Sequence, residues 1–194
     1  MEIVLGISAI IIGYLLGSIP AAYILGKTTK NIDIRTVDTG NVGTASTLRA
    51  IGIWQGFVVG IIDVGKGSAA ILTAQALGVP FLWVLGAGFG AFMGHNYPLY
   101  IGFKGGQGAA TLIGIFAALT FWATLAACGI IALILYLNRR IVLQRIFFAL
   151  LIAGPMLPIF IWILYRSWEL AAYSLFLIMF MIWRNRHRVK APLQ

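Results

Sequence analysis

Between two apolar runs lies the stretch GHNYPLYIGFKGGQGAATLIG, residues 94–114, which carries His95, Lys104, Gln107 and glycines at 105, 106 and 108. Glycine lets backbone N–H groups approach an oxyanion with no side chain in the way. Lys104 stands directly before the glycines, and the helix-prone segment AATLIGIFAAL follows them. A helix N-terminus there would add unsatisfied N–H donors and the positive end of a dipole. The chemistry indicated is phosphate binding; close packing of membrane helices through small residues is the alternative use of the same glycines.

A second stretch, GNVGTASTLR at 40–49, joins Asn41, Gly43 and the hydroxyls of Thr44, Ser46 and Thr47 to Arg49. The guanidinium can grip a phosphate or carboxylate with two parallel hydrogen bonds. Such residues also make ordinary loops and helix caps, so this stretch gains weight from the first one rather than from itself. A third, GIIDVGKG at 60–67, imitates a nucleotide-binding P-loop, but Gly67 stands where a hydroxyl should hold magnesium and the flanking residues form an apolar run rather than a strand. What remains is Asp63 and Lys66 three residues apart on one helical face. Within a membrane such a pair is costly and marks function, unless Lys66 extends to the interface.

His95 has no second His, Cys or carboxylate near it in sequence, so no metal site is expected, and the choice for it lies between hydrogen-bonding scaffold and general base. The pattern of His, four residues, then Asp fails because position 100 is Tyr, and no nucleophile with an attendant base is evident. No cofactor is implied.

These residues must be positioned by membrane helices. Of 194 residues, 61 % are hydrophobic and 10 % charged, which excludes an ordinary soluble domain. Apolar runs at 3–25, 53–77, 79–94, 107–121, 122–137, 146–164 and 168–183 predict seven transmembrane helices, with six or eight as the alternatives where runs are short. The runs are continuous rather than alternating, so an all-α bundle is expected and not a β-barrel. The first lacks a basic leader and is read as a span rather than a cleaved signal. Cys128 is the sole cysteine and lies in an apolar run, so no disulfide can form within the chain. With no linker or repeat, residues 1–194 are read as one domain.

The net charge of +9 follows topology, which argues against nucleic acid. With the N-terminus outside, 13 of the 14 Lys and Arg fall on the cytoplasmic side and Arg166 alone outside, which requires an odd number of spans and a cytoplasmic C-terminus. The basic tail RNRHRVK serves as an anchor on anionic lipid or as a lid over an anionic ligand. Both glycine-bearing stretches then lie on the cytoplasmic face.

In order and spacing, GSIPAAYILGK (17–27), GNVGTASTLRA, DVGKG and GHNYPLYIGFKGGQGAAT resemble the bacterial acyl-phosphate:glycerol-3-phosphate acyltransferases, the PlsY family, over nearly the whole chain. The resemblance implies a multi-pass protein of the bacterial inner membrane that transfers a fatty acyl group from acyl phosphate to the sn-1 hydroxyl of glycerol 3-phosphate, without metal, forming lysophosphatidate. It implies that Asn41, Gly43, Lys104, Gly105, Gly106 and Gly108 shape the phosphate loops. Arg49 grips a phosphate, Ser18, Asp63, Lys66 and His95 support the site, and a phosphate oxygen of the donor takes the hydroxyl proton, with His95 or Asp63 as the competing base. The chain departs from the family pattern at Ser46 (an Asn there), Gln107 (a Lys), Val142 and Arg145 (serines) and Arg188 (an Asn). These departures leave a competing reading, a diverged paralogue or partner subunit that binds a phosphorylated lipid or polyol. A small anion transporter ranks last, because the outer half of the chain is almost bare of polar residues.

Overall fold

The computed structural model describes residues 1–38, 40–137 and 154–186. Its regular structure is helical: α1 (Glu2–Ser18), α2 (Ala21–Lys30), α3 (Thr44–Ala50), α4 (Ile53–Ala76), α5 (Phe81–Asn96), α6 (Ala109–Leu119), α7 (Phe121–Leu137), α8 (Met156–Tyr165) and α9 (Trp168–Arg184), with 3-10 turns at Ile34–Thr36 and Leu99–Ile101. The chain divides into two compact units, residues 1–118 and 119–194.

In the first unit α1 packs along α5, and α4 lies beside both. The contact of α1 with α5 is backbone to backbone, since a Cβ on Gly17 would strike the Ala91 carbonyl and one on Gly94 the Tyr14 carbonyl. Helices approach this closely through small residues where lipid supplies no hydrophobic drive between them. Tyr14 adds a hydrogen bond from its hydroxyl to the Tyr97 carbonyl at 2.9 Å. On α4 the buried stripe reads Gly56, Val59, Asp63, Lys66, Gly67, Ala70, Ile71 and Ala74, while Ile53, Trp54, Phe57, Ile61 and Leu72 point outward. Small and charged residues inside with large apolar ones outside is the reverse of a soluble helix, and it suits a lipid surround. By length and composition Glu2–Lys30 and Ile53–Ala76 can each cross a membrane.

The first apolar run is not one straight helix. Pro20 has no N–H to continue α1 and restricts the residue before it, so α1 ends at Ser18 and α2 starts afresh at Ala21. Between α2 and α4, a stretch expected as loop contains the seven-residue α3, bracketed by Gly43 and Gly52.

In the second unit α8 packs against both α7 and α9. Arg166, at φ 53°, ends α8 and lies over the Trp162 ring, and the Ser167 hydroxyl caps α9 by accepting from the Leu170 N–H at 3.2 Å.

Candidate active site

The break at Ser18–Pro20 lets a buried charge cluster form. Asp63 Oδ1 holds Lys66 Nζ at 2.8 Å, Lys66 also donates to the Ile19 carbonyl at 3.1 Å, and His95 Nδ1 lies 3.5 Å from the same Asp63 oxygen. All three side chains are nearly inaccessible. Lys66 therefore does not extend to the interface, which corrects one of the two sequence-based options. A buried ammonium needs every partner it can find, and the helix break provides one of them. Around the cluster, the hydroxyls of Ser18, Thr44 and Thr111 are buried with no hydrogen-bond partner among the described residues. Thr44 leans on Gly60, one turn before Asp63 on α4.

The two glycine-bearing stretches meet above this cluster. A Cβ on Gly106 would collide with His95 Nε2 and come within 2.8 Å of the Val42 carbonyl, so only glycine fits between the imidazole and the 40–49 stretch. Gly106 donates its N–H to the His95 carbonyl at 3.0 Å. That amide closes a turn of its own chain, whereas the sequence reading had it facing a ligand. Gly108, at φ +91°, is the last residue before α6, and its Cα presses on the Phe92 ring. Gly105 packs against the His95 and Asn96 carbonyls. Lys104 is exposed at the outer end of this loop.

Arg49 is engaged within the chain. Its Nε and Nη2 donate to the two oxygens of Asp38 at 3.1 and 2.6 Å, and Nη2 also donates to Ser46 Oγ at 3.3 Å. The free guanidinium expected from sequence is thus a bidentate ion pair with a residue that sequence reasoning passed over. The turn-forming series VDTGN is the one signal that could have drawn attention to Asp38, and it says nothing of the partner. Asn41 and Gly43 are buried beside one another, and Thr47 donates from both N–H and hydroxyl to the Gly43 carbonyl at 3.0 Å.

Arg35 is a second residue not foreseen. It forms a bidentate pair with Asp33, lies over the Tyr23 ring and donates to the Ile101 carbonyl at 3.4 Å, tying the 31–37 stretch to the 99–103 turn. Hydrogen bonding from Arg35 holds the Asp33 carboxyl down at about 2, and the same bond raises the pKa of Arg35.

Asn41, Gly43, Thr44, Gly105, Gly106, Gly108, Ser18, Asp63, Lys66 and His95 are thus gathered in the first unit. Ser46 and Arg49 form the Asp38 pair beside them, and Gln107 lies half-buried in the glycine loop. Val142, Arg145 and Arg188 lie outside the described residues. Among the described residues, no group of three His, Cys, Asp or Glu side chains could hold a metal ion.

An apolar exterior around a buried ion pair, with two glycine-bearing loops joined over it, defines an integral membrane protein whose interior is built for polar chemistry. The family model for glycerol-3-phosphate acyltransferase matches residues 7–194, and the chain belongs to that family. Relatives described as glycerol-3-phosphate acyltransferase include one from Shouchella clausii, 40 % identical over 93 % of this chain and 88 % of its own, and one from Thermosynechococcus vestitus, 35 % identical over 97 % and 91 %. The fold matches the crystal structure of PlsY (YgiH), an integral membrane glycerol 3-phosphate acyltransferase, in its glycerol 3-phosphate form, with a TM-score of 0.84 and 27 % identity over 95 % of this chain and 90 % of that one. The lysophosphatidic acid form of the same protein matches with a TM-score of 0.82 and 25 % identity. The chain is a membrane-embedded acyltransferase of phospholipid synthesis that acylates glycerol 3-phosphate.

Proposed function

We propose that the acyl donor is an acyl phosphate, that the acyl group goes to the sn-1 hydroxyl, and that the phosphates of both substrates are handled where the 40–49 and 104–108 stretches meet. The observation that supports this most directly is the contact of Gly106 with both His95 and the Val42 carbonyl, which joins two glycine-bearing stretches with cations at their borders. An acyl phosphate is already an activated mixed anhydride, so the protein need only neutralise, orient and desolvate the reactants. In the reaction the acceptor oxygen attacks the acyl carbonyl carbon, the bond from that carbon to the phosphate oxygen breaks, and inorganic phosphate leaves. The hydroxyl proton passes to an oxygen of the departing phosphate.

In this reading Lys104 and Arg49 bind phosphoryl oxygens. Asn41, Gly43, Thr44, Ser46, Gly105, Gln107 and Gly108 shape the loops. His95 and Asp63 are positioning residues rather than the proton acceptor, because the imidazole is packed between Gly106 and Asp63. Lys66 holds the Ile19 carbonyl exposed by the Pro20 break, and Ser18 offers to a substrate a hydroxyl without a partner among the described residues. The whole chain acts as one seven-span unit in a bacterial inner membrane, N-terminus outside, with the site and C-terminus on the cytoplasmic side; the distribution of Lys and Arg supports that orientation.

The test is a direct donor comparison. Purified protein in micelles is given labelled glycerol 3-phosphate with either palmitoyl phosphate or palmitoyl-CoA. Lysophosphatidate formed from the phosphate donor alone is the expected result; equal or faster product from the thioester rejects the donor assignment.

A further inference from the structure

Asp38 occupies Arg49 in a way that a merely structural pair would not require. Both side chains lie at the surface, about a quarter exposed (21 % and 28 %), where an ion pair adds little to stability. Yet the geometry is the bidentate fork that a guanidinium offers to a phosphate or carboxylate, with Nε and Nη2 both engaged. Asp38 also sits at φ +52°, a left-handed conformation that non-glycine residues seldom adopt. Nη1 of Arg49 makes no hydrogen bond among the described residues. An incoming phosphoryl group can therefore engage Nη1 first and displace the carboxylate from the other two nitrogens.

We propose that Asp38 is an internal competitor of the acceptor's phosphate for Arg49, and so sets the glycerol 3-phosphate concentration at which the enzyme works. This rests on the reading of Arg49 as a phosphate anchor. A carboxylate carries one negative charge and two acceptor oxygens, whereas a phosphate monoester carries nearly two charges and three oxygens. The exchange therefore favours the substrate without being free, and weaker monoanions are held off. The strength of an exposed bidentate pair corresponds to about a two- to five-fold effect on apparent affinity.

The experiment uses the full-length protein in micelles with Asp38→Asn, which removes the charge, and Asp38→Gly, which also suits the positive φ. Initial rates are measured against glycerol 3-phosphate at fixed acyl phosphate, with inorganic phosphate as a competing probe. Both variants should lower the KM for the acceptor about two- to five-fold and strengthen inhibition by phosphate to the same degree. On an Arg49→Lys background, which lacks the fork, Asp38→Asn should have no such effect. An unchanged KM overturns the proposal, as does a raised one, which would make Asp38 a residue that aims Arg49. Arg49→Ala in the same assay separates the two ideas. If it leaves the KM unaltered, the anchor reading itself fails; if it raises the KM while Asp38→Asn does not lower it, the competition alone fails.

Discussion

The imidazole of His95 lies against the Cα of Gly106, eleven residues further along the chain, and its other nitrogen is 3.5 Å from Asp63 on a different helix. One side chain thus couples the glycine loop to the buried ion pair of α4. The loop's shape and the state of the Asp63–Lys66 pair are consequently linked.

Gly106→Ala is the direct probe of that coupling. The added methyl would have to displace His95 Nε2 and sits 2.8 Å from a backbone carbonyl that cannot easily yield. Overpacking of this kind costs about 1–3 kcal/mol, and because it moves the proposed phosphate loop the loss of turnover should exceed the loss of stability. Thermal unfolding in micelles and acyl transfer, measured on one preparation, check this. A variant with wild-type turnover would show that the contact does not shape the site.

The Asp63–Lys66 pair makes a different prediction. Removing either charge strands the other in a low-dielectric interior at a cost of about 3–5 kcal/mol, while removing both can be nearly neutral. Asp63→Asn and Lys66→Met should each lower the midpoint of thermal unfolding sharply, and the double variant should recover much of it. Because Lys66 also satisfies the Ile19 carbonyl, recovery should be incomplete. Strictly additive losses would refute a coupled pair.

Much of this architecture can be read from residue type and order, because lipid forces apolar runs to be helical. The runs at 53–77, 79–94, 107–121, 122–137 and 168–183 match α4, α5, α6, α7 and α9 within a few residues. The run at 146–164 meets the described residues only at α8. Pro20 was visible but lay inside continuous hydropathy, so the bend between α1 and α2 was not foreseen. Pro20 makes the break locally, and what no local window contains is its use, the Ile19 carbonyl accepting from Lys66 on α4. For the site, glycines and cations identify themselves by type, whereas their pairing does not. Asp38 meets Arg49 from eleven positions away through a left-handed backbone turn, and Gly106 meets His95 through a loop whose course periodicity cannot trace. Family resemblance supplied the reaction, but resemblance alone could not have shown that the Arg49 fork is already engaged.

Loss of a phosphate contact should be visible at the two cations. Lys104→Ala and Arg49→Ala should each reduce kcat/KM for glycerol 3-phosphate by roughly 10- to 150-fold, the equivalent of about 1.5–3 kcal/mol for a hydrogen bond to a charged group. Gln107→Lys, which restores the cation of the family pattern, should preserve or raise activity. A steep loss with Gln107→Lys would mean that the loop is built around the amide. Retention of full activity by Lys104→Ala would remove that residue from the site.

The Asp33–Arg35 brace should announce itself in acid. Hydrogen bonding to Arg35 lowers the Asp33 carboxyl from its ordinary 3.8 to about 2 in the folded protein. A carboxyl with a depressed folded value binds its proton more readily when unfolded, so its contribution to stability is complete above about 3.8 and disappears as pH falls through about 2. Asp33→Asn removes that proton linkage and the ion pair together. Wild type should therefore exceed Asp33→Asn in thermal stability by a constant margin from pH 7 to 4, and the margin should shrink between pH 4 and 2. Since Arg35 also holds the Ile101 carbonyl just before the glycine loop, the variant should lose acyl-transfer activity at neutral pH as well. A margin independent of pH across that acid window would show that Asp33 is not held by Arg35 in the folded protein.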